Sequence, residues 1–353
     1  MGESSILLSK CIHIVSHHVI IIRGAYSYCR RGLAGLATCY HLLAIDRNLK
    51  IQFLEKDGIG AGASGSAAGL LHPYTGSLAQ LNWCAQPGIA ATIQLLDAAA
   101  QAIEQATYKI NDIVRCAIHP EDQQAFFNIV RTQDDVSLWD PQHTYSQTGV
   151  YRPALFIPNG LSVYTDLYLK GIWHLCDHYG AELVLQNFTL SDSAYFDKVI
   201  LACGANLAEL YPALNLVLKR GEVLICEKRL TYALIGDGYL SLTDQSNICY
   251  MGTTSRTDLI DLTLDEATKL IRSQVDPWFK SDIPVLGYKS GIRVYRSLVS
   301  AHPIIDQLDN KTWCFPGLGS RGLMYHAYLG SILAKAILQQ SPKLIPQVCK
   351  ITR

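Results

Sequence analysis

HHVIIIRGAYSYCRRGLAGLATCYHLLAIDRNLKIQFLEKD, from His17 to Asp57, decides how the rest of the chain is read. Val19, Ile20, Ile21 and Ile22 form a β-branched run with no polar interruption, the pattern of a parallel strand buried on both faces. Gly24 follows. From Leu33 onward, Leu33, Leu36, Ala37, Tyr40, His41 and Leu43 keep a helical period. IQFLE then resumes strand character and ends at Glu55, about twenty residues beyond Gly35, where such units place a ribose acceptor. Strand, glycine turn, helix and acid-tipped second strand is the layout of a dinucleotide-binding βαβ unit.

The glycine turn is interrupted. A G-x-G-x-x-G fingerprint lets the backbone turn tightly and brings a pyrophosphate to the helix N-terminus. Removing Tyr26–Arg31 (YSYCRR) leaves Gly24-Ala25-Gly32-Leu33-Ala34-Gly35, a complete fingerprint, so YSYCRR reads as an insertion in an otherwise standard loop. Arg23 also stands where a small residue is expected. Two readings stay open: a loop that still accepts a nucleotide, or one whose pyrophosphate path is blocked.

GIGAGASGSAAGLLHPY, residues 58–74, is too rich in small residues to hold a regular element. Directly after Glu55, its Ala63, Ser64, Gly65, Ala68 and Gly69 read as backbone laid against a flat ligand, with amides and the Ser64 hydroxyl as donors.

Composition bounds the rest. A chain of 353 residues with 49% hydrophobic content can bury a large core and divide into two lobes. Lys plus Arg and Asp plus Glu are both 30, so no overall basic field points to nucleic acid. The 11 Cys lack any C-x-x-C, which suggests neither a disulfide framework nor a thiolate zinc site and fits a reducing compartment. The expectation is the cytoplasm, with a plastid or other organelle as the alternative. Residues 1–18 leave little room for a transit peptide, and no apolar run is long enough to span a bilayer.

GAG (with the insertion removed), LAGLA and LEKDGIGAGASGSAAGLLHP together resemble the amino-terminal segment of the D-amino-acid-oxidase-like FAD-dependent oxidoreductases. The narrower resemblance is to the FAD domain of the bifunctional bacterial enzyme that matures 5-methylaminomethyl-2-thiouridine in tRNA, and to its single-domain relatives in photosynthetic organisms. The resemblance implies FAD as cofactor. It assigns to FAD Gly24, Gly32, Gly35, Glu55 and Lys56, then Ala63, Ser64, Ala68, Gly69 and Leu70.

Further along, TDLYLKGIWHLCDHYG reads as a helix capped by Thr165 or Asp166 and ended by Gly180. His174 and His178 share a face of it but find no third ligand, so no metal is expected. FDKVILACGANLAEL resembles the family strand that returns to the sheet, implying that Ala202 and Gly204 meet the cofactor and that Cys203 packs. LKRGEVLICEK, GDGYLSLTD and ICYMGTTSRTD are alternating strands, in the family a sheet over the flavin, with Arg220, Tyr239 and Tyr250 as candidate cavity residues. His119, His143 and Trp139 read as structural or surface residues.

Two late motifs supply the chemistry. Gly291-Ile292-Arg293 matches the family's G-x-R, whose guanidinium binds a substrate carboxylate through two charge-assisted hydrogen bonds. Arg296 is the fallback, because Pro303, Ile304 and Ile305 match the family while Asp306 replaces a usual Gly. FPGLGSRGLMYHAYLGSILAKAIL, residues 315–338, resembles the carboxyl-terminal signature. There Gly317, Gly319 and Gly322 turn into a helix running to about Leu338; the resemblance assigns Gly317, Gly319, Ser320, Arg321, Gly322 and Leu323 to the cofactor, with Ser320 and Arg321 open to flavin or substrate. A helix N-terminus at the pyrimidine end of the flavin favours the anionic reduced form.

The expected protein is α/β. It has a Rossmann-like FAD-binding domain with a central parallel sheet, built from 17–80, 155–212 and 300–340. A smaller α+β substrate domain with an antiparallel sheet is built from 81–154 and 213–299, with tails at 1–16 and 341–353. The implied activity is oxidation of the C–N bond of a carboxylate-bearing amine, an amino acid or N-substituted glycine, with Arg293 and Arg321 as catalytic residues. One alternative is removal of a carboxymethyl group from a modified tRNA uridine, which the neutral charge does not favour. Another is a catalytically impaired, flavoprotein-like scaffold created by the insertion.

Overall fold

The computed structural model describes residues 19–23, 32–54, 60, 62–76, 78–184, 190–280, 282–297 and 302–351. Its strands are β1 (Val19–Arg23), β2 (Lys50–Leu54), β3 (Leu70–Leu71), β4 (Tyr74–Thr75), β5 (Gln80–Leu81), β6 (Tyr108–Cys116), β7 (Ser137–Trp139), β8 (Ala154–Val163), β9 (Glu182–Val184), β10 (Lys198–Leu201), β11 (Val217–Glu227), β12 (Ala233–Ile235), β13 (Tyr239–Leu242), β14 (Ile248–Gly252), β15 (Val285–Tyr295), β16 (Asp306–Gln307) and β17 (Thr312–Cys314). Its helices are α1 (Leu33–Ile45), α2 (Ala85–Ile103), α3 (Pro120–Val130), α4 (Pro141–Thr148), α5 (Thr165–His178), α6 (Leu207–Leu210), α7 (Leu264–Val275) and α8 (Gly322–Leu338).

One lobe is a six-stranded sheet in the order β16-β17-β10-β1-β2-β9. β10 pairs parallel with β17 and β2 parallel with β9, as expected of a Rossmann-like sheet. α1 and α8 pack on each other, and α1 and α2 both touch α5. Apolar residues are buried all round α1, so it is an internal helix rather than a surface one. Leu36, Leu42, Phe53, Ile200, Trp313 and Leu333 belong to the core these elements share.

β1 differs from its sequence reading. It occupies the centre of the sheet but runs antiparallel to both neighbours, with Ile20 opposite both Ile200 and Phe53. Arg23 pairs with Lys50, the first residue of β2, so β1 ends at the sheet edge opposite the one where α1 begins. Chain length explains why this is possible. A five-residue strand spans about 17 Å at about 3.3 Å per residue. Residues 24–31 reach about 27 Å when extended, whereas the same link without YSYCRR would reach only about 7 Å. Gly24, Glu55 and Lys56 lie outside the described residues.

The other lobe is a nine-stranded sheet, β15-β11-β14-β13-β12-β6-β8-β3, with β7 also on β8. Its pairs are antiparallel except β12 with β6. α7 lies against β11 and β15, started by a capping box in which Glu266 accepts the Thr263 N–H at 2.8 Å. Val114, Leu224, Leu240, Met251, Ile271 and Trp278 share the core beneath it.

The expected lobe boundaries shift at three elements. β3 and β8 belong to the nine-stranded sheet, although both fall within stretches assigned to the FAD-binding domain. α2, assigned to the substrate domain, packs on α5 and α8 instead. Apolar periodicity reports that a face is buried, not against which neighbour. No described helix is long and apolar enough to cross a membrane.

Candidate functional site

A cavity of about 690 Å³ opens between the two sheets, at the carboxyl ends of the parallel strands, where open α/β sheets bind ligands. Its wall toward the six-stranded sheet begins with Gly32, Leu33 and Ala34. Helix first-turn amides have no intrahelical acceptor. Leu33 donates its N–H to Ser64 Oγ at 3.2 Å, and the amides of Ala34 and Gly35 have no described partner. Ala34 faces the cavity, whereas Gly35 is buried off its wall.

The small-residue stretch crosses from one lobe to the other. Ala63, Ser64, Ala68, Gly69 and Leu70 all line the cavity. Ser66 donates to the Ser290 carbonyl at 2.5 Å, Ser241 donates to the Ala68 carbonyl at 2.9 Å, and Thr165 donates to the Ala67 carbonyl at 3.2 Å. That last bond corrects the capping expectation: the N-cap of α5 is Tyr164, with no side-chain cap bond, because the Thr165 hydroxyl is used on the loop. Gly69 has φ +79°, and a Cβ there would lie 2.0 Å from the Val163 carbonyl oxygen, so only glycine fits.

Ala202 and Gly204, beyond β10, and Gly317, Gly319, Ser320, Arg321, Gly322 and Leu323 line the opposite side. The Gly319 N–H bonds to the Val294 carbonyl at 2.8 Å and the Arg321 N–H to the Leu318 carbonyl at 3.0 Å, which ties this turn to β15. Behind α8, Tyr168 and His326 Nε2 meet at 2.6 Å while His326 Nδ1 lies 3.0 Å from the Gly322 carbonyl. A carbonyl only accepts, so Nδ1 holds the proton and Tyr168 donates to Nε2. Burial pulls the His326 pKa down to about 3, and the ring stays neutral.

The sheet side of the cavity presents Arg293. Its Nη2 donates to the Thr254 carbonyl, and no described carboxylate pairs with it. The guanidinium lies over Gly221, where a Cβ would come within 2.2 Å of Nη2. Thr254 is itself held: its hydroxyl donates to the fully buried Glu222, which pairs with Arg256 at 3.0 Å. Tyr239 also lines the cavity, and burial pushes its phenol up to about 12 against the pull of Arg293. It is a neutral hydrogen-bond donor at ordinary pH.

Other expectations resolve by position. The Arg296 guanidinium donates to the carbonyls of Val348 and Lys350, at 2.6 and 2.5 Å, away from the cavity; the fallback role falls away because those carbonyls hold the side chain. Arg220 pairs with Asp261, and Tyr250 accepts from Lys289 at 3.2 Å. Neither lines the cavity. His119 does, at the mouth, bonded to Asp237 at 2.8 Å, a bond that raises its pKa. His72, Arg115 and Thr253 line the cavity without having been singled out from the sequence. The only sequence signal was the cation Arg115 within the strand-like run INDIVRC. Among the described residues no group of three or more His, Cys, Asp or Glu is placed to hold a metal.

The fold and this cavity define a two-lobe dinucleotide-binding protein, and comparison fixes the family. Residues 31–336 match the family model DAO, FAD dependent oxidoreductase; the chain belongs to that family. No curated protein sequence matches it. Among solved structures it is similar to glycine oxidase from Geobacillus kaustophilus, with 15% identity, 92% of this chain and 97% of that one covered, and a TM-score of 0.78. Iminodiacetate oxidase from Chelativorans sp. BNC1 gives 14%, 90%, 96% and 0.73, and L-proline dehydrogenase from P. horikoshii gives 14%, 90%, 94% and 0.72. Such identities show likeness of fold. The narrower resemblance to the tRNA-maturing enzyme does not hold, because the structures matched nearly end to end are amine and amino-acid oxidoreductases.

Family membership implies FAD, and the residues present fit it. The cavity volume falls in the range of cofactor sites, about 300–1,000 Å³. Two helix N-termini face it, and the Gly69 backbone leaves a surface with no side chain in the way.

Proposed function

We propose that this chain oxidises the C–N bond of an amine that bears a carboxylate. The observation behind the reading is Arg293, a cation on the cavity wall with a carbonyl but no described carboxylate to satisfy it. Its planar fork pairs with a substrate carboxylate through two parallel N–H···O bonds and keeps its charge when desolvated. The neutral Tyr239 phenol donates alongside. The structures similar in fold include enzymes named for glycine, iminodiacetate and L-proline, which agrees with such a substrate.

When bound, FAD supplies a hydride acceptor. The α1 first turn, Ala63–Leu70, Ala202–Gly204, Gly317–Ser320, Gly322 and Leu323 would hold it. Arg293 anchors the substrate and so turns its C–H toward that acceptor, a positioning effect that lowers the entropy cost of reaction. The substrate nitrogen enters as the neutral amine, so no protein base is needed, and water completes hydrolysis of the imine.

Anaerobic mixing of the purified protein with N-methylglycine and longer N-substituted glycines tests this. Bleaching of the oxidised flavin band, with aldehyde formed in equal amount, is the expected result. Bleaching by amines lacking a carboxylate, with none by N-substituted glycines, would refute it.

A further inference from the structure

Arg293 leaves a second group of cavity residues unexplained. Gly76 sits between two guanidiniums: Arg115 Nη2 donates to its carbonyl at 2.6 Å, and a Cβ on Gly76 would lie 3.5 Å from Arg321 Nη2. Both arginines line the cavity. Among the described residues the Arg321 side chain hydrogen-bonds to Thr75 Oγ1, at 3.2 Å, and to no other group. Arg115, 8% exposed, also reaches the Tyr74 carbonyl at 3.5 Å. An anion placed between the two guanidiniums is attracted by both. Burial lowers the Arg115 pKa to about 10 while the Asp122 carboxylate, also on the cavity wall, pulls it the other way, and Arg115 stays charged at neutral pH.

His72 stands on the same wall. It is 9% exposed, and among the described residues its Nδ1 has no hydrogen-bond partner. Burial, with the Arg115 charge beside it, pulls its pKa down to about 3, so it offers a neutral hydrogen-bonding group. Two guanidiniums and a neutral imidazole make a donor set suited to an oxyanion.

We propose that Arg115, Arg321 and His72 form a second anion subsite, and that the amine substrate carries a second carboxylate at the end of an extended arm. This rests on the reading of Arg293 given above. Spacing sets the length of the arm. Tyr239, beside Arg293, lies on β13, two strands from Arg115 in the order β13-β12-β6, about 10 Å at about 4.8 Å per strand. A substrate whose acids are separated by only two or three bonds does not bridge that distance.

Simple α,ω-dicarboxylates, which the enzyme has no C–N bond to oxidise, test the subsite by calorimetry on the flavin-loaded protein. The series runs from malonate to azelate, each set against the monocarboxylate of equal length. Dicarboxylates are expected to gain with length and, near suberate and azelate, to bind at least tenfold more tightly than their matched monocarboxylates. Arg321→Met and Arg115→Met should reduce that advantage to less than threefold, and Arg293→Met should weaken both series alike. Arg115→Met risks misfolding because it frees two backbone carbonyls; Arg321→Met and the wild-type series decide without it. No advantage at any length, or one that Arg321→Met leaves intact, overturns the subsite while the Arg293 reading stands. If monocarboxylates bind no better to wild type than to Arg293→Met, the Arg293 reading fails and the subsite proposal with it.

Discussion

Two glycine turns open helices onto one cavity, and their strands arrive from opposite directions. Gly317-Leu318-Gly319-Ser320-Arg321-Gly322 has the same glycine spacing as the amino-terminal fingerprint once YSYCRR is removed. At the carboxyl end, β17 runs parallel to β10 and the turn is fixed to β15 through Gly319 and Val294. At the amino end, β1 runs against both neighbours and finishes at the far edge from α1. Glycine spacing makes a tight turn only where the preceding strand points at the following helix. The length between them decides that.

Substitutions can break this contrast. Gly319→Val is expected to have the largest effect: φ is +55° and a Cβ would lie 2.6 Å from the Tyr295 ring, a combination of strain and overpacking worth about 3 kcal/mol or more. Gly32→Ala should cost about 1 kcal/mol or less, because the α1 N-cap has φ −98°, open to any residue. Thermal unfolding of the two variants checks the difference, and equal losses would erase the asymmetry.

At the site itself, Arg293→Met should raise KM for an N-substituted glycine about 30- to 1,000-fold. That follows from the about 2–4 kcal/mol at stake when one partner of a buried charged pair is removed. Arg296→Met should leave KM within about twofold, since its partners are distant carbonyls. Steady-state kinetics on both separates the two arginines.

Smaller effects test the support of α8. Tyr168→Phe strands His326 Nε2 and should cost about 1–3 kcal/mol, read as a lower Tm. The pH dependence has a fixed sign. His326 titrates near 3 in the folded protein and near 6.5 unfolded, so the unfolded state takes up more protons between those values. Stability is therefore full above about pH 6.5 and falls as pH drops toward 3. His326→Phe should flatten part of that acid slope, and an unchanged slope would show that the imidazole is not buried as described.

Much of the architecture is legible in the sequence where local chemistry is distinctive. Gly317, Gly319 and Gly322 mark the start of α8, and its apolar run ends at Leu338 as read. Ala63, Ser64, Ala68 and Gly69 do line the cavity, and at Gly69 nothing larger than glycine fits beside Val163, whereas Gly65 lies off the cavity wall. The direction of β1 was not legible, since a run of Ile looks the same whichever way it pairs. Nor were His72 and Arg115, which are ordinary residues of a loop and a strand until β6 and the segment around Gly76 come together. The choice between Arg293 and Arg296 needed the partners of each guanidinium.

The most direct test of the account is the absorption spectrum of the purified 353-residue chain, set beside that of the chain lacking residues 26–31. A flavin band in both proteins, with FAD released on denaturation in about one-to-one ratio, is the predicted result. Colourless protein in both, even after reconstitution with excess FAD, would contradict it.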